Sequence, residues 1–251
     1  MSVTVVRAAD KSSLEIMFEL SQYAFEEEPS ILKSEEVGRP VEKQARGNRS
    51  GIASYETPDF KEIERQAEYA SSITGVRKDF LMGMLVVESD MGRNIGHCTY
   101  KEVSDGAEVA HRSGRLSQRA FATFQERKKI IQDIASELGY DYENLKVSCN
   151  PPYAGTGGAL GIAQFMPDTW LEYKDRIAAA SGQGTPDPWD IRDGVLAMAL
   201  KVADVPGVIE HDTSAERAAS KMYLSGTTSW RYDWYASQIQ YWANNYHYLM
   251  G

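Results

Sequence analysis

The sequence predicts an all-α domain over about residues 58–251, on three observations. Apolar residues in this span recur at spacings of three and four. Helix-starting and helix-stopping residues bracket those runs. The composition, 42% apolar and 25% charged, is that of a chain able to bury a core.

Residues 1–57 read differently, as an N-terminal extension or linker. They hold an acidic knot, Glu26-Glu27-Glu28, and a polar stretch over 34–54 with Arg39, Lys43, Arg46 and Arg49. Leu14, Met17, Phe18 and Tyr23 suggest a helix at about 12–25. Thr57-Pro58 then reads as N-cap and first helical position, with Phe60, Ile63, Ala67 and Ala70 on one face and a break at Thr74-Gly75. A second helix follows at about 77–89. Ser117 opens a third, with Phe121, Phe124, Ile131 and Leu138 along it and Gly139 as its stop. A helix over about 159–179 follows a glycine cluster. Asp190 caps the next, with Asp193 at N3 in a loose capping box. The last, through Tyr232, Tyr235, Ile239, Trp242, Tyr246 and Leu249, has an aromatic stripe that reads as core. The count is roughly seven helices.

Charge narrows the function classes. With 27 basic against 36 acidic residues, net −9, the chain lacks the basic excess of a general nucleic-acid binder. The most apolar stretches, 80–87 and 195–200, fall far below the roughly 18 residues of a spanning helix. The first residues, Met-Ser-Val-Thr-Val-Val-Arg, show no signal-peptide pattern.

Cys98 and Cys149 are the two cysteines. They are either independent buried thiols or one disulfide. The disulfide is the expectation, because each cysteine lies close to one of the two segments described next. It would close a loop worth about 4 kcal/mol in the chain-entropy model. The four histidines are scattered, and no metal site is expected.

Two segments carry candidate chemistry. In Leu81-Met-Gly-Met-Leu-Val-Val-Glu88-Ser89-Asp90-Met-Gly92, one carboxylate ends a very apolar helix. Desolvation and the negative helix end both favour its protonated form, which suits a general acid. The plainer alternative is an exposed glutamate closing a core helix. The second segment is Gly155-Thr-Gly157-Gly158-Ala-Leu-Gly161-Ile-Ala-Gln164-Phe-Met166-Pro167-Asp-Thr169-Trp170. No strand pattern precedes it and no Gly-Lys-Ser/Thr follows, so it is not read as a phosphate loop. Its glycines allow close backbone approach to a ligand. Gln164 offers a donor and an acceptor suited to sugar groups, or else ties down the local loop.

Glu-Ser with a glycine three residues on, then Gly-Ala-Leu-Gly-Ile-Ala-Gln-Phe-Met-Pro-Asp-Thr-Trp, then Tyr-x-x-Gly at Tyr223–Gly226, together resemble the lytic transglycosylases over about residues 58–251. The resemblance implies a lysozyme-like helical domain that cleaves bacterial peptidoglycan outside the cytoplasm. It assigns Glu88 as the single catalytic acid. Ser89, Gln164, Met166, Thr169 and Tyr223 become substrate-contacting or orienting residues. Leu224 stands where the family usually has asparagine, and Trp189-Asp190 resembles a helix-capping stretch.

The implied mechanism uses Glu88 first as acid and then as base, yielding a 1,6-anhydro-N-acetylmuramic product. It implies no cofactor. Implied partners are glycan strands, with a cell-wall, secretion or phage assembly as a further setting. The competing readings are a muramidase that hydrolyses the same bond, with Asp90 or Asp168 activating water, and a non-catalytic wall-binding module.

Overall fold

A computed structural model describes residues 59–150 and 157–249. The expected helix at 12–25, the residues Thr57-Pro58, and Gly155 lie outside them. Eight α-helices form among the described residues: α1 Phe60–Thr74, α2 Lys78–Ser89, α3 Tyr100–Arg112, α4 Gln118–Leu138, α5 Pro167–Ser181, α6 Ile191–Ala203, α7 Thr213–Ser225 and α8 Asp233–Asn245. A short antiparallel ribbon, β1 Cys98–Thr99 and β2 Lys146–Val147, is the sole sheet among them. None of these helices is long and apolar enough to cross a membrane.

The helix ends follow local chemistry. Asp59 caps α1 by accepting from the Lys61 amide, and Gly75 closes it in the left-handed conformation. Ser117 and Gly139 bracket α4 as expected. Asp190 caps α6 through the amides of Arg192 and Asp193. Its expected capping-box partner does something else: Asp193 Oδ2 accepts from the Asp187 amide, 2.9 Å away. The box forms at α3 instead, between Thr99 and Glu102.

Two further corrections concern the helix inventory. Helices α3 and α7 are absent from the sequence reading. The helix expected from about 159 begins only at Pro167. Gly158, Gly161 and Gln164 all take positive φ (104°, 57° and 53°), which no α-helix tolerates. Residues 157–166 instead form a looped extension of the ribbon, bridging Val147 to Leu160 and Leu160 to Phe165. Gly161 is required there: a Cβ would stand 1.8 Å from the Pro188 carbonyl oxygen. At the C-terminal end the single expected helix is α8 flanked by 3-10 turns, Trp230–Tyr232 and Tyr246–Leu249.

Helix α2 is the axis of the core. Every residue from Phe80 to Ser89 is buried, as a helix apolar on all faces requires. It packs chiefly along α8, with α1 and α6 completing its surround. Gly83 lies at the α2–α8 contact, and a Cβ there would be 2.5 Å from the Ile239 carbonyl oxygen. A disulfide joins Cys98 to Cys149, their Cα atoms 5.1 Å apart. It ties β1, which follows the Glu88 segment, to the stretch just after β2 that leads toward the glycine-rich loop.

Candidate active site

Glu88 is the penultimate residue of α2 and is 5% exposed. The chain must turn sharply after it. Asp90 and Met91, at φ 50° and 54°, take left-handed conformations that cost non-glycine residues about 1–2 kcal/mol each. Ser89 helps hold this turn. Its fully buried hydroxyl donates to the Leu85 carbonyl and accepts from the Gly92 amide. Asp90 points outward into a bidentate pair with Arg93.

Burial pushes the Glu88 carboxyl up to about 7, against the opposing pull of a hydrogen bond from Tyr235 and the positive charge of Lys201. A carboxyl balanced near neutrality can both give and take a proton. Tyr235, fully buried on α8, donates its hydroxyl to Glu88 Oε1. Burial and the Glu88 charge raise that phenol well above its ordinary value, so it remains a donor.

The glycine-rich loop is fastened to this region at several points. Gln164 Nε2 donates to the Ile95 carbonyl at 3.0 Å and to the Gly161 carbonyl at 2.7 Å. The Gln164 amide therefore clamps its own loop to the segment behind Glu88, the loop-tying alternative read from the sequence. Tyr223 donates to the Ala163 carbonyl at 2.6 Å, and its ring packs on Phe165 at 5.6 Å. Leu224 packs half-buried against the core. Met166 and Thr169 sit half-buried at the start of α5, Met166 as its N-cap residue. Neither hydrogen-bonds to Glu88. Asp168, beside them, pairs with Arg127 at 2.8 Å.

The structure thus gathers Glu88, Tyr235, Lys201, Tyr223 and the loop 157–166 into one cluster. Trp189 and Asp190 are structural: Trp189 Nε1 donates to the Lys146 carbonyl, and Asp190 caps α6. Sequence reasoning missed two members of the cluster. Tyr235 was read as core, although a buried tyrosine hydroxyl needs a partner, and that was the available signal. Lys201 interrupts the apolar run of α6, and a charge at such a position was the other.

Residues 58–202 match the transglycosylase SLT domain family, more than half of the chain. The chain belongs to that family. As an SLT-domain protein it is an enzyme of the lytic transglycosylase class. Solved structures agree on the fold. A 36 kDa muramidase/transglycosylase, 17% identical, superposes with a TM-score of 0.53 over 76% of this chain and 73% of its own. The Escherichia coli lytic transglycosylase Slt35 in complex with bulgecin A, 16% identical, gives 0.53 over 76% and 72%. No curated protein matches the chain. The lysozyme-like, all-α expectation is therefore met.

Proposed function

We propose that this SLT-domain enzyme cleaves the β-1,4 bond between N-acetylmuramic acid and N-acetylglucosamine without water. Glu88, protonated, donates to the glycosidic oxygen as the C1–O bond breaks. The substrate's acetamido group shields the electron-poor C1. The ionised Glu88 then takes the proton from the muramyl 6-hydroxyl as that oxygen bonds to C1. The carboxyl returns to its starting state, and the product carries a 1,6-anhydro ring.

The observation that carries this reading is Glu88 itself, a buried carboxyl at the end of α2 that accepts a hydrogen bond from Tyr235 and is raised by burial to about 7. Its two candidate partners for water activation, Asp90 and Asp168, are both engaged by arginines. That pairing supports transglycosylation over inverting hydrolysis, which needs a free second carboxylate. Gln164, Met166 and Thr169 are the proposed rim of the glycan groove at the α5 end. Ser89 and Tyr223 hold the backbone that shapes it. The catalytic domain on this reading is 58–251, with 1–57 an extension, and the site of action is the cell wall outside the cytoplasm.

Mass spectrometry of fragments released from purified insoluble peptidoglycan tests the proposal. Wild-type protein should release 1,6-anhydro muropeptides, and folded Glu88→Gln should release none. Products heavier by one water would replace the proposal with a muramidase. Undiminished release by Glu88→Gln would remove Glu88 from the chemistry.

A further inference from the structure

Lys201 is placed unlike the half-buried lysines that pair with carboxylates at the margins of the core. Lys78, Lys174 and Lys221 each meet a carboxylate, on Glu64, Glu137 and Asp233. Lys201 rises from α6 between buried neighbours, Met198 and Ala199 on one side and Val202 on the other. Its ammonium lies over two aromatic faces, 5.2 Å from the centroid of Phe165 and 4.9 Å from that of Tyr223. Among the described residues it makes no ion pair. The electrostatic interactions that sustain its charge come from Glu172 and Asp168 on α5 and from Glu88 on α2. Burial works against that charge, lowering the amine from its ordinary value.

A cation kept in such a position costs stability that ring faces recover only in part. The reaction gives a reason for it. Glu88 must pass from neutral to anionic and back within each turnover, inside a desolvated pocket. A direct ion pair would pull a carboxyl down by roughly 1–3 pH units and leave no proton to donate at neutrality. A cation within electrostatic reach, but held off by aromatic rings, eases formation of the anion without trapping it.

We propose that Lys201 is a positioning residue for the reaction. Seated on the Phe165 and Tyr223 rings, its ammonium stabilises the carboxylate that Glu88 becomes after protonating the leaving group. This rests on Glu88 as the acid. It also gives the two aromatic residues of the family motifs a second task, since they hold the cation at its distance. The groups around Glu88 then divide their work: Tyr235 supplies a hydrogen bond from α8 and Lys201 supplies charge from α6.

The test compares Lys201→Met, which keeps length and packing, with Lys201→Gln as a second neutral variant and Lys201→Arg as the charge-conserving one. Glu88 is titrated directly by carbon NMR of carboxyl-labelled protein, and pH–rate profiles are taken on soluble glycan oligomers. In both neutral variants the Glu88 midpoint and the alkaline limb of the profile should rise by roughly one pH unit. At fixed pH, kcat should fall by about tenfold while KM stays within about twofold. Lys201→Arg should restore most of both. An unmoved midpoint in a folded neutral variant overturns the proposal, as does a loss confined to KM. The titration reads the coupling without turnover, so an active Glu88→Gln protein would sink the functional reading separately.

Discussion

Gly83 on α2 meets the backbone of Ala243 on α8 so closely that a Cβ would stand 2.6 Å from the Ala243 nitrogen. This contact sets the spacing of the two helices that bring Tyr235 to Glu88. Tyr235 lies one turn before Ile239, whose carbonyl shares the contact with Gly83.

We expect Gly83→Ala to push α2 and α8 apart. Overpacking of this kind costs about 1–3 kcal/mol. Because the same helices carry the Tyr235–Glu88 hydrogen bond, activity should fall along with stability. Urea unfolding measures the first effect and turnover on peptidoglycan the second. A variant with wild-type values of both would show that the interface yields more readily than its geometry implies.

Glu88→Gln should stabilise the fold in a pH-dependent way. Burial raises the Glu88 carboxyl from 4.5 to about 7 in the folded state, so the native protein holds its proton more tightly than the unfolded chain. Wild-type stability therefore drops as pH climbs from about 4.5 to 7, whereas glutamine carries no such penalty. The variant's advantage should be close to zero at pH 4 and approach about 3 kcal/mol above pH 7, at 1.36 kcal/mol per pH unit. Thermal melts of both proteins across this range test it. An advantage that did not grow with pH would mean that Glu88 ionises without cost.

Tyr235→Phe and Tyr223→Phe should part ways, although both tyrosines belong to the cluster. The Tyr235 hydroxyl donates to Glu88, and hydrogen bonds to charged groups are worth about 1.5–3 kcal/mol. Losing it should slow turnover roughly 10- to 100-fold. It should also move the alkaline limb of the pH–rate profile upward, since that bond favours the carboxylate. The Tyr223 hydroxyl donates to a backbone carbonyl. Removing it should cost about 1 kcal/mol of stability and leave the limb in place. Equal limb shifts in the two variants would contradict this division.

Reduction of the Cys98–Cys149 bridge should weaken the whole domain. The cysteines are 51 residues apart, and the chain-entropy model values closure of such a loop at about 4 kcal/mol. The double serine variant should therefore unfold at markedly lower urea concentration. Intact mass before and after alkylation verifies the bridge in the wild type. Two thiols alkylated without reductant would remove the basis of the expectation.

The residues that bracket α4 and cap α6 act locally in sequence, and for them the sequence alone was sufficient. Ser117, Gly139 and Asp190 satisfy or release backbone groups within one turn of themselves, and they do so in the structure as the chain order implies. Glu88 was legible as a carboxylate ending a very apolar helix, while its burial, last but one in the buried run from Phe80 to Ser89, came only with the packing of that helix. The glycine-rich segment was legible as a feature but not as a shape. Its helical composition gives way to a loop because Gly161 must pass under the Pro188 carbonyl, a contact between distant parts of the chain. For the same reason the tertiary structure alone decided the partners of Glu88. Tyr235 is 147 residues away, and its apolar ring satisfies the helical stripe whatever its hydroxyl touches. Lys201 and the Gln164 amide likewise acquire their roles from helix packing. Periodicity states which face of a helix is buried, and only the packing of α2, α6 and α8 states which polar atoms meet there.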